Sequence, residues 1–194
     1  MVSTLKHRSA IIGLGGNQPS SAGPPKQTLL AALKSLSLTE YGSISITATS
    51  RFYRSPAYPL GSGPEFVNAA IRLTTSLSPS ALLGRLHEIE SQFGRQRQSR
   101  WAARTLDLDL IAYDDVILPD RQTIQHWVEL DQRSQKTLVP DQLMVPHPRL
   151  QDRAFVLIPL SDFAAHWRHP LTDETVNAMI SALPDAAKAG IRPI

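Results

Sequence analysis

Between Leu106 and Leu110, leucine and aspartate alternate without a break: Leu106-Asp107-Leu108-Asp109-Leu110. A period of two belongs to a β-strand, whose successive side chains leave opposite faces. The three leucines therefore enter a core. Asp107 and Asp109 project together from the other face, about 7 Å apart at the backbone. The reading of Thr105 to Tyr113 as a half-buried strand commits the chain to a sheet with an acidic patch on one side.

The rest of the chain supplies partners for that strand. Ser9 to Leu14 is a short apolar run and reads as a buried strand. Gly13-Leu14-Gly15-Gly16-Asn17 follows on and is read as a strand-ending turn, with glycine allowing close backbone approach. It is no nucleotide loop, since it lacks Gly-Lys-Ser/Thr and the acidic residue of a βαβ unit. Leu29, Leu33 and Leu36 give a first amphipathic helix, and Ser43 to Thr49 alternates as a strand. Phe66 to Thr74 alternates again, with Val67, Ala69, Ile71 and Leu73 on one side and Phe66, Asn68, Ala70 and Arg72 on the other. A second helix has Ser78 as cap, Pro79 at its first position, Gly94 at its end, and a core stripe of Leu82, Leu86, Ile89 and Phe93.

The order strand, helix, strand, strand, helix, strand is that of an α+β, ferredoxin-like βαββαβ core, with helices packed on one face of an antiparallel sheet. Residues 118–141 are polar and poorly periodic, and read as a surface insertion. Beyond them an extended segment is expected near Arg153 to Leu157, and a short helix near Asp173 to Ala182 as a C-terminal extension. At 194 residues the natural division is one domain, 1–194.

Composition excludes several classes. No apolar run approaches the roughly 20 residues of a membrane span. Lys6, His7 and Arg8 interrupt any signal-peptide core. With no cysteine there are no disulfides, zinc–thiolate sites or thiol nucleophiles, in keeping with a cytoplasmic protein. The net charge is +3, but Arg95, Arg97, Arg100 and Arg104 crowd into ten positions beside Trp101. That loop is either a solvated basic surface or a seat for an anion, phosphate first among them.

Two like charges at Asp107 and Asp109 repel unless a cation lies between them. Hard oxygen ligands suit magnesium, and two magnesium ions suit a phosphate chain such as that of ATP. An ordinary polar strand face is the competing reading, and the arginines immediately upstream favour the site. Phe66 and Asn68 share a strand face, offering a ring and an amide to a planar nitrogen heterocycle, or else simple core packing. His87 and Glu90 are neighbours on a helix flank. His147 is held between Pro146 and Pro148, which stiffen the chain around its imidazole.

Taken in order, these pieces resemble the hydroxymethyl-dihydropterin pyrophosphokinase family. The matching stretches are Gly15-Gly16-Asn17, Phe52-Tyr53-Arg54-Ser55-Pro56, Phe66-Val67-Asn68-Ala69-Ala70, Ile89-Glu90, Gly94-Arg95-Gln96-Arg97, Arg100 to Asp109, Val145-Pro146-His147-Pro148 and Arg153-Ala154-Phe155-Val156-Leu157. The resemblance implies transfer of pyrophosphate from ATP to the pterin hydroxymethyl group, releasing AMP in folate biosynthesis. It implies that Asp107 and Asp109 bind two Mg2+ ions and that Arg95 and Arg97 belong to a loop closing over the reactants. His87, Glu90, Arg97, Trp101, Arg104, Leu110 (through its backbone), His147 and Arg153 would surround ATP. Ser55, Pro56, Tyr58 (through its backbone), Phe66, Asn68 and Phe155 would line the pterin pocket, with Phe66 and Phe155 stacking on the two ring faces.

Some positions depart from the family pattern. Ser55 stands where threonine is frequent, Gly16 where serine is usual, and Ala102-Ala103 replace Gly-Pro. The expected partners are the two small substrates, with no nucleic acid and no membrane, and the chain is expected to act as a monomer. The alternatives are a ferredoxin-like RNA-binding module and a diverged kinase relative with altered substrate. The acid pair argues against the first, since it would repel phosphate.

Overall fold

The computed structural model describes residues 7–38, 43–57, 60–95, 104–131, 134 and 137–194. Strand β1 (Arg8–Gly16) lies between β4 (Phe66–Thr75) and β5 (Asp107–Tyr113), antiparallel to both. β2 (Ile44–Thr49) and β3 (Tyr53–Ser55) both pair with β4, and a two-residue β6 (Arg192–Pro193) pairs with β3. The sheet order is β5-β1-β4-β3-β6, with β2 beside β4.

Alternation sorts the side chains into two cores. One holds Ile12, Leu14, Val67, Ile71, Leu73, Leu106, Leu108 and Leu110, packed under helices α1 (Pro25–Ser37) and α2 (Pro79–Gln92). Leu29 and Leu36 of α1, and Leu82, Leu86 and Ile89 of α2, are fully buried there. Ser78 caps α2 by accepting a hydrogen bond from Ala81 N at 3.3 Å, and Gly94 turns the chain away with φ 78°.

The opposite face is also covered, which corrects the expectation of helices on one side alone. Ile11, Ala70 and Ile111 pack against Val156, Leu157, Leu160 and Ala164 of α4 (Ala154–Ala164) and against Val176 and Met179 of α5 (Val176–Ala182). The segment from Arg153 to Leu157, expected to be extended, is therefore the start of a helix. Val156, Leu157, Leu160 and Ala164 recur at helical spacing, and only a helix turns all four onto the sheet.

The glycine run corrects a second expectation. Gly13, Gly15 and Gly16 do not leave the sheet but are the last turns of β1's ladder, paired with β4 throughout. Within the insertion the described residues form α3 (Arg121–Glu129), capped by Asp120, whose Oδ1 accepts from Thr123 N at 2.9 Å. Ile124 is its buried anchor, and a Leu118–Val145 bridge closes its base. Trp127 is half-buried and His126 exposed. Among the described residues, no helix is long and apolar enough to cross a membrane.

A buried histidine holds the turn before α5. His169 is 1% exposed, and its Nδ1 accepts from Leu171 N (3.2 Å) and Thr172 N (3.3 Å). Burial lowers its pKa from 6.5 to about 4. The unfolded chain takes up this proton first, so the stability held by neutral His169 is complete above pH 6.5 and falls as the pH drops toward 4. The loss amounts to about 3 kcal/mol over that window. His169→Asn, whose Oδ1 can replace Nδ1 as acceptor, is expected to flatten this part of the curve in urea melts between pH 7 and 4. Parallel curves for the two proteins would contradict it.

Candidate active site

The face bearing α4 is covered only in part, and the uncovered end gathers most of the polar residues singled out in the sequence. Cross-strand register explains how. Gly15 of β1 has Asn68 of β4 opposite it on one side and Asp107 of β5 on the other. Gly13 likewise lies between Ala70 and Asp109. Residues directly opposite in antiparallel strands share a face, so a strip without side chains separates the amide from the carboxylates. Two strand spacings put the Asn68 and Asp107 backbones about 10 Å apart. A Cβ on Gly15 would come within 3.3 Å of Asn68 Oδ1 and narrow that strip. Gly16 has a different reason: its Cβ would meet Thr105 O at 2.6 Å.

On the β5 side, acids and guanidinium groups interlock. Arg104 Nη1 donates to Asp107 Oδ2, and Arg95 Nη2 lies 2.7 Å from Asp107 Oδ1. Arg153 Nη1 donates to Asp109 Oδ2 at 3.0 Å. The turn at Gly94 brings Arg95 N back to Glu90 O at 3.1 Å, and the Arg95 side chain also pairs with the Glu90 carboxylate. Asn17, buried after β1, accepts from Arg104 N at 2.9 Å, while its own N–H donates to Arg104 O at 2.9 Å. Burial pushes the Asp107 carboxyl above its ordinary pKa, and the charge of Asp109 adds to this, against the pull of Arg104, Arg95 and Arg153.

Glu90 has a role that spacing alone did not reveal. It is 1% exposed, and its Oε1 accepts from Leu108 N at 2.7 Å. It thus fixes the backbone between the two aspartates to α2.

On the β4 side, Asn68 Nδ2 donates to Ser55 Oγ at 2.8 Å, and both residues are buried. Phe66 is half-buried opposite Ser55, and Pro56 follows at the rim. Phe155 sits on the first turn of α4, 39% exposed, with the Arg153 guanidinium 5.8 Å from its ring centre. Asp162 of α4 braces β3 by accepting from Arg51 N (2.9 Å), Arg51 Nη2 (2.8 Å) and Tyr53 Oη (2.8 Å). Burial alone would raise the pKa of Asp162, but these hydrogen bonds hold it low.

His147 N donates to Ile111 O at 2.8 Å, which sets the half-buried ring beside β5. Its Nδ1 accepts from Arg149 N at 3.1 Å. Burial, helped by the charges of Arg153 and Arg149, keeps the imidazole well below its usual pKa and so neutral. His87 is half-buried on α2. The Leu110 side chain is buried in the other layer, leaving only its main chain for a ligand. Tyr58, Arg97 and Trp101 lie outside the described residues, as do Arg100, Ala102 and Ala103.

A groove of about 400 Å³ lies at the far end of the same face, lined by Arg72, Asp162, Phe163 and Trp167 among others. Its charged groups are already engaged, Asp162 by Arg51 and Tyr53, and Arg72 over the Phe163 ring. The carboxylate cluster, not this groove, has the chemistry of a reaction site.

Carboxylates held among arginines on a sheet end, beside a slot lined by an amide and a hydroxyl, can hold a polyanion next to a small polar heterocycle. That is the make-up of a group-transferring enzyme of mixed α/β fold. The chain belongs to the 7,8-dihydro-6-hydroxymethylpterin-pyrophosphokinase (HPPK) family, whose profile matches residues 11–165. It is 35% identical to the 2-amino-4-hydroxy-6-hydroxymethyldihydropteridine pyrophosphokinase of Synechocystis, over 95% of this chain and 80% of that protein. It is also 35% identical to the protein of the same name from Haemophilus influenzae, over 81% of this chain and 82% of that one. Among solved structures, wild-type Plasmodium falciparum HPPK-DHPS superposes with a TM-score of 0.61 at 15% identity, over 91% of this chain. The present chain spans 44% of that longer one, and the likeness is one of fold.

Proposed function

We infer that the protein carries out the reaction for which its relatives are named, moving a pyrophosphoryl group from ATP to the hydroxymethyl group of 6-hydroxymethyl-7,8-dihydropterin. The observation that carries this reading is the shared face of Asp107 and Asp109, ringed by arginines and separated by glycine from the Asn68–Ser55 pair. The hydroxymethyl oxygen forms a bond to the β-phosphorus, the bond from that phosphorus to the α,β-bridging oxygen breaks, and AMP leaves.

The residues fit magnesium. Asp107 and Asp109 present hard oxygens, and the buried Asp107 Oδ1 is met by the Arg95 guanidinium at 2.7 Å as an ion pair without hydrogen-bond alignment, leaving it open to a cation. No group of three or more His, Cys, Asp or Glu is assembled among the described residues, so phosphate and water would complete the coordination. Bound there, two Mg2+ would neutralise the triphosphate and make its β-phosphorus more electrophilic. Arg95, Arg104 and Arg153, which now pair with the carboxylates, would turn to phosphate oxygens. Neutral His147, with Nδ1 occupied, would offer Nε2–H as a donor to the nucleotide. Glu90, His87 and the Leu110 main chain would complete that side, with Arg97 and Trp101 from the loop. Asn68, Ser55, Pro56 and the Tyr58 main chain would hold the pterin edge, with Phe66 and Phe155 enclosing it.

The order β5-β1-β4, with β2 and β3 on the outer side of β4, supports the ferredoxin-like reading. We read the chain as one domain with 118–141 as an insertion, acting as a monomer in the cytoplasm. A coupled assay for AMP provides the test. AMP should appear only with pterin, ATP and magnesium together, and EDTA should stop it. AMP release that does not depend on pterin would sink the reading. Tight, steeply salt-dependent oligonucleotide binding without turnover would favour the RNA-module alternative.

A further inference from the structure

The family profile ends at residue 165, yet the chain beyond it returns to the pterin side of the sheet. After α6 (Asp185–Lys188), β6 pairs with β3, placing Arg192 opposite Arg54 and Pro193 opposite Tyr53. Ile194 N donates to Phe52 O at 2.9 Å. Arg192 Nη2 reaches Glu65 at 3.0 Å, and Glu65 immediately precedes Phe66. Gly190, at φ 76°, lies so close that a Cβ there would meet Pro56 Cγ at 2.9 Å. The contacts on Pro56, Arg54 and Glu65 fall on a residue of the proposed pterin wall or on its immediate neighbour, and those on Tyr53 and Phe52 hold the segment leading into Ser55.

We propose that residues 190–194 are a strap that positions Ser55, Pro56 and Phe66, so that Gly190 and Arg192 set affinity for the pterin and not for the nucleotide. This rests on the reading that those three residues line the pterin pocket. β3 is only three residues long, and without a neighbour on its outer side it would be a frayed edge. The strap supplies that neighbour, while Gly190 packs on Pro56 from behind. Backbone pairing and steric contact are the stronger parts. The Arg192–Glu65 pair, with side chains 52% and 40% exposed, adds little by itself.

The test is steady-state kinetics on Gly190→Val, Arg192→Ala and Arg192→Lys, with Asn68→Ala as the pocket control and thermal melts on all four. Gly190→Val should raise the pterin KM about tenfold, because displacing a substrate-positioning residue by a fraction of an ångström is costly. Arg192→Ala should raise it about threefold and Arg192→Lys should restore most of that, in keeping with an exposed ion pair. For the strap variants the ATP KM and kcat should stay within about twofold, since the carboxylate cluster lies across β1, β4 and β3 from the strap. Strap variants that alter both KM values together, or only the melting temperature, would overturn the proposal. If Asn68→Ala raises the pterin KM while the strap variants leave it alone, the strap fails and the pocket stands. If Asn68→Ala also leaves it unchanged, both fall.

Discussion

Asp107→Ala is expected to lower AMP release by about a thousandfold or more, and Asp109→Ala by a similar factor, each removing one preorganised charge from a site that handles a triphosphate. The expectation follows from their arrangement. Two carboxylates about 7 Å apart repel by roughly 2 kcal/mol at an effective dielectric constant near 20. A fold keeps such a cost where cations offset it. Three arginines do so in this structure, with Arg95 and Arg104 on Asp107 and Arg153 on Asp109. Burial and Asp109 already raise the Asp107 pKa, so losing its charge relieves a strain on the fold. Asp107→Asn should therefore melt no lower than the parent protein while losing turnover almost as completely. Turnover within about tenfold of the parent enzyme would remove the basis for the proposed metal role, since oxygen ligands of this kind are rarely dispensable.

Glu90→Ala is expected to act mainly on stability. Its loss leaves the buried Leu108 N–H without an acceptor and takes a carboxylate partner from Arg95. An orphaned buried donor and a broken buried pair together should cost about 3 kcal/mol. For a chain of this size that is a fall of about 10 °C in Tm. Glu90→Gln keeps an oxygen for Leu108 N and should recover more than half of the loss. Glu88→Ala is the comparison: Glu88 pairs with Arg85 at 3.0 Å on the exposed side of α2, with a side chain 65% exposed. Its removal should cost no more than about 0.5 kcal/mol. Equal melting temperatures for the Glu90→Ala and Glu88→Ala proteins would refute the anchoring role.

Strict alternation made β4 and β5 legible, because a half-buried strand writes its two faces into successive residues. Leu106, Leu108 and Leu110 went to one layer as read, and Asp107 and Asp109 to the other. The caps of α2 were equally plain, Ser78 and Pro79 at one end and Gly94 at the other. The glycine run was misread because glycine signals a turn in most settings, and nothing local shows that neighbouring strands need the empty space. The clue was its period: Gly13 and Gly15 flank Leu14 just as the aspartates flank Leu108. Residues 153–157 were misread because the matching stretch was short enough to suit a strand, and the decisive residues, Leu160 and Ala164, lie beyond it. Glu90 was placed near the nucleotide by resemblance, but its contact with Leu108 N joins residues 18 positions apart and needs coordinates to see. The same holds for Asp162 and Arg51, 111 positions apart.

β5 lies at the rim of the sheet, and its outward main chain meets a carboxylate at Leu108 and a loop N–H at Ile111 in place of another strand. The opposite rim ends in a two-residue stub containing Pro193, which has no amide hydrogen to offer. The β5 edge and the β6 edge are thus guarded against the edge-to-edge growth by which open sheets stack into aggregates. The groups that hold the aspartates in register also keep the sheet from recruiting a stranger.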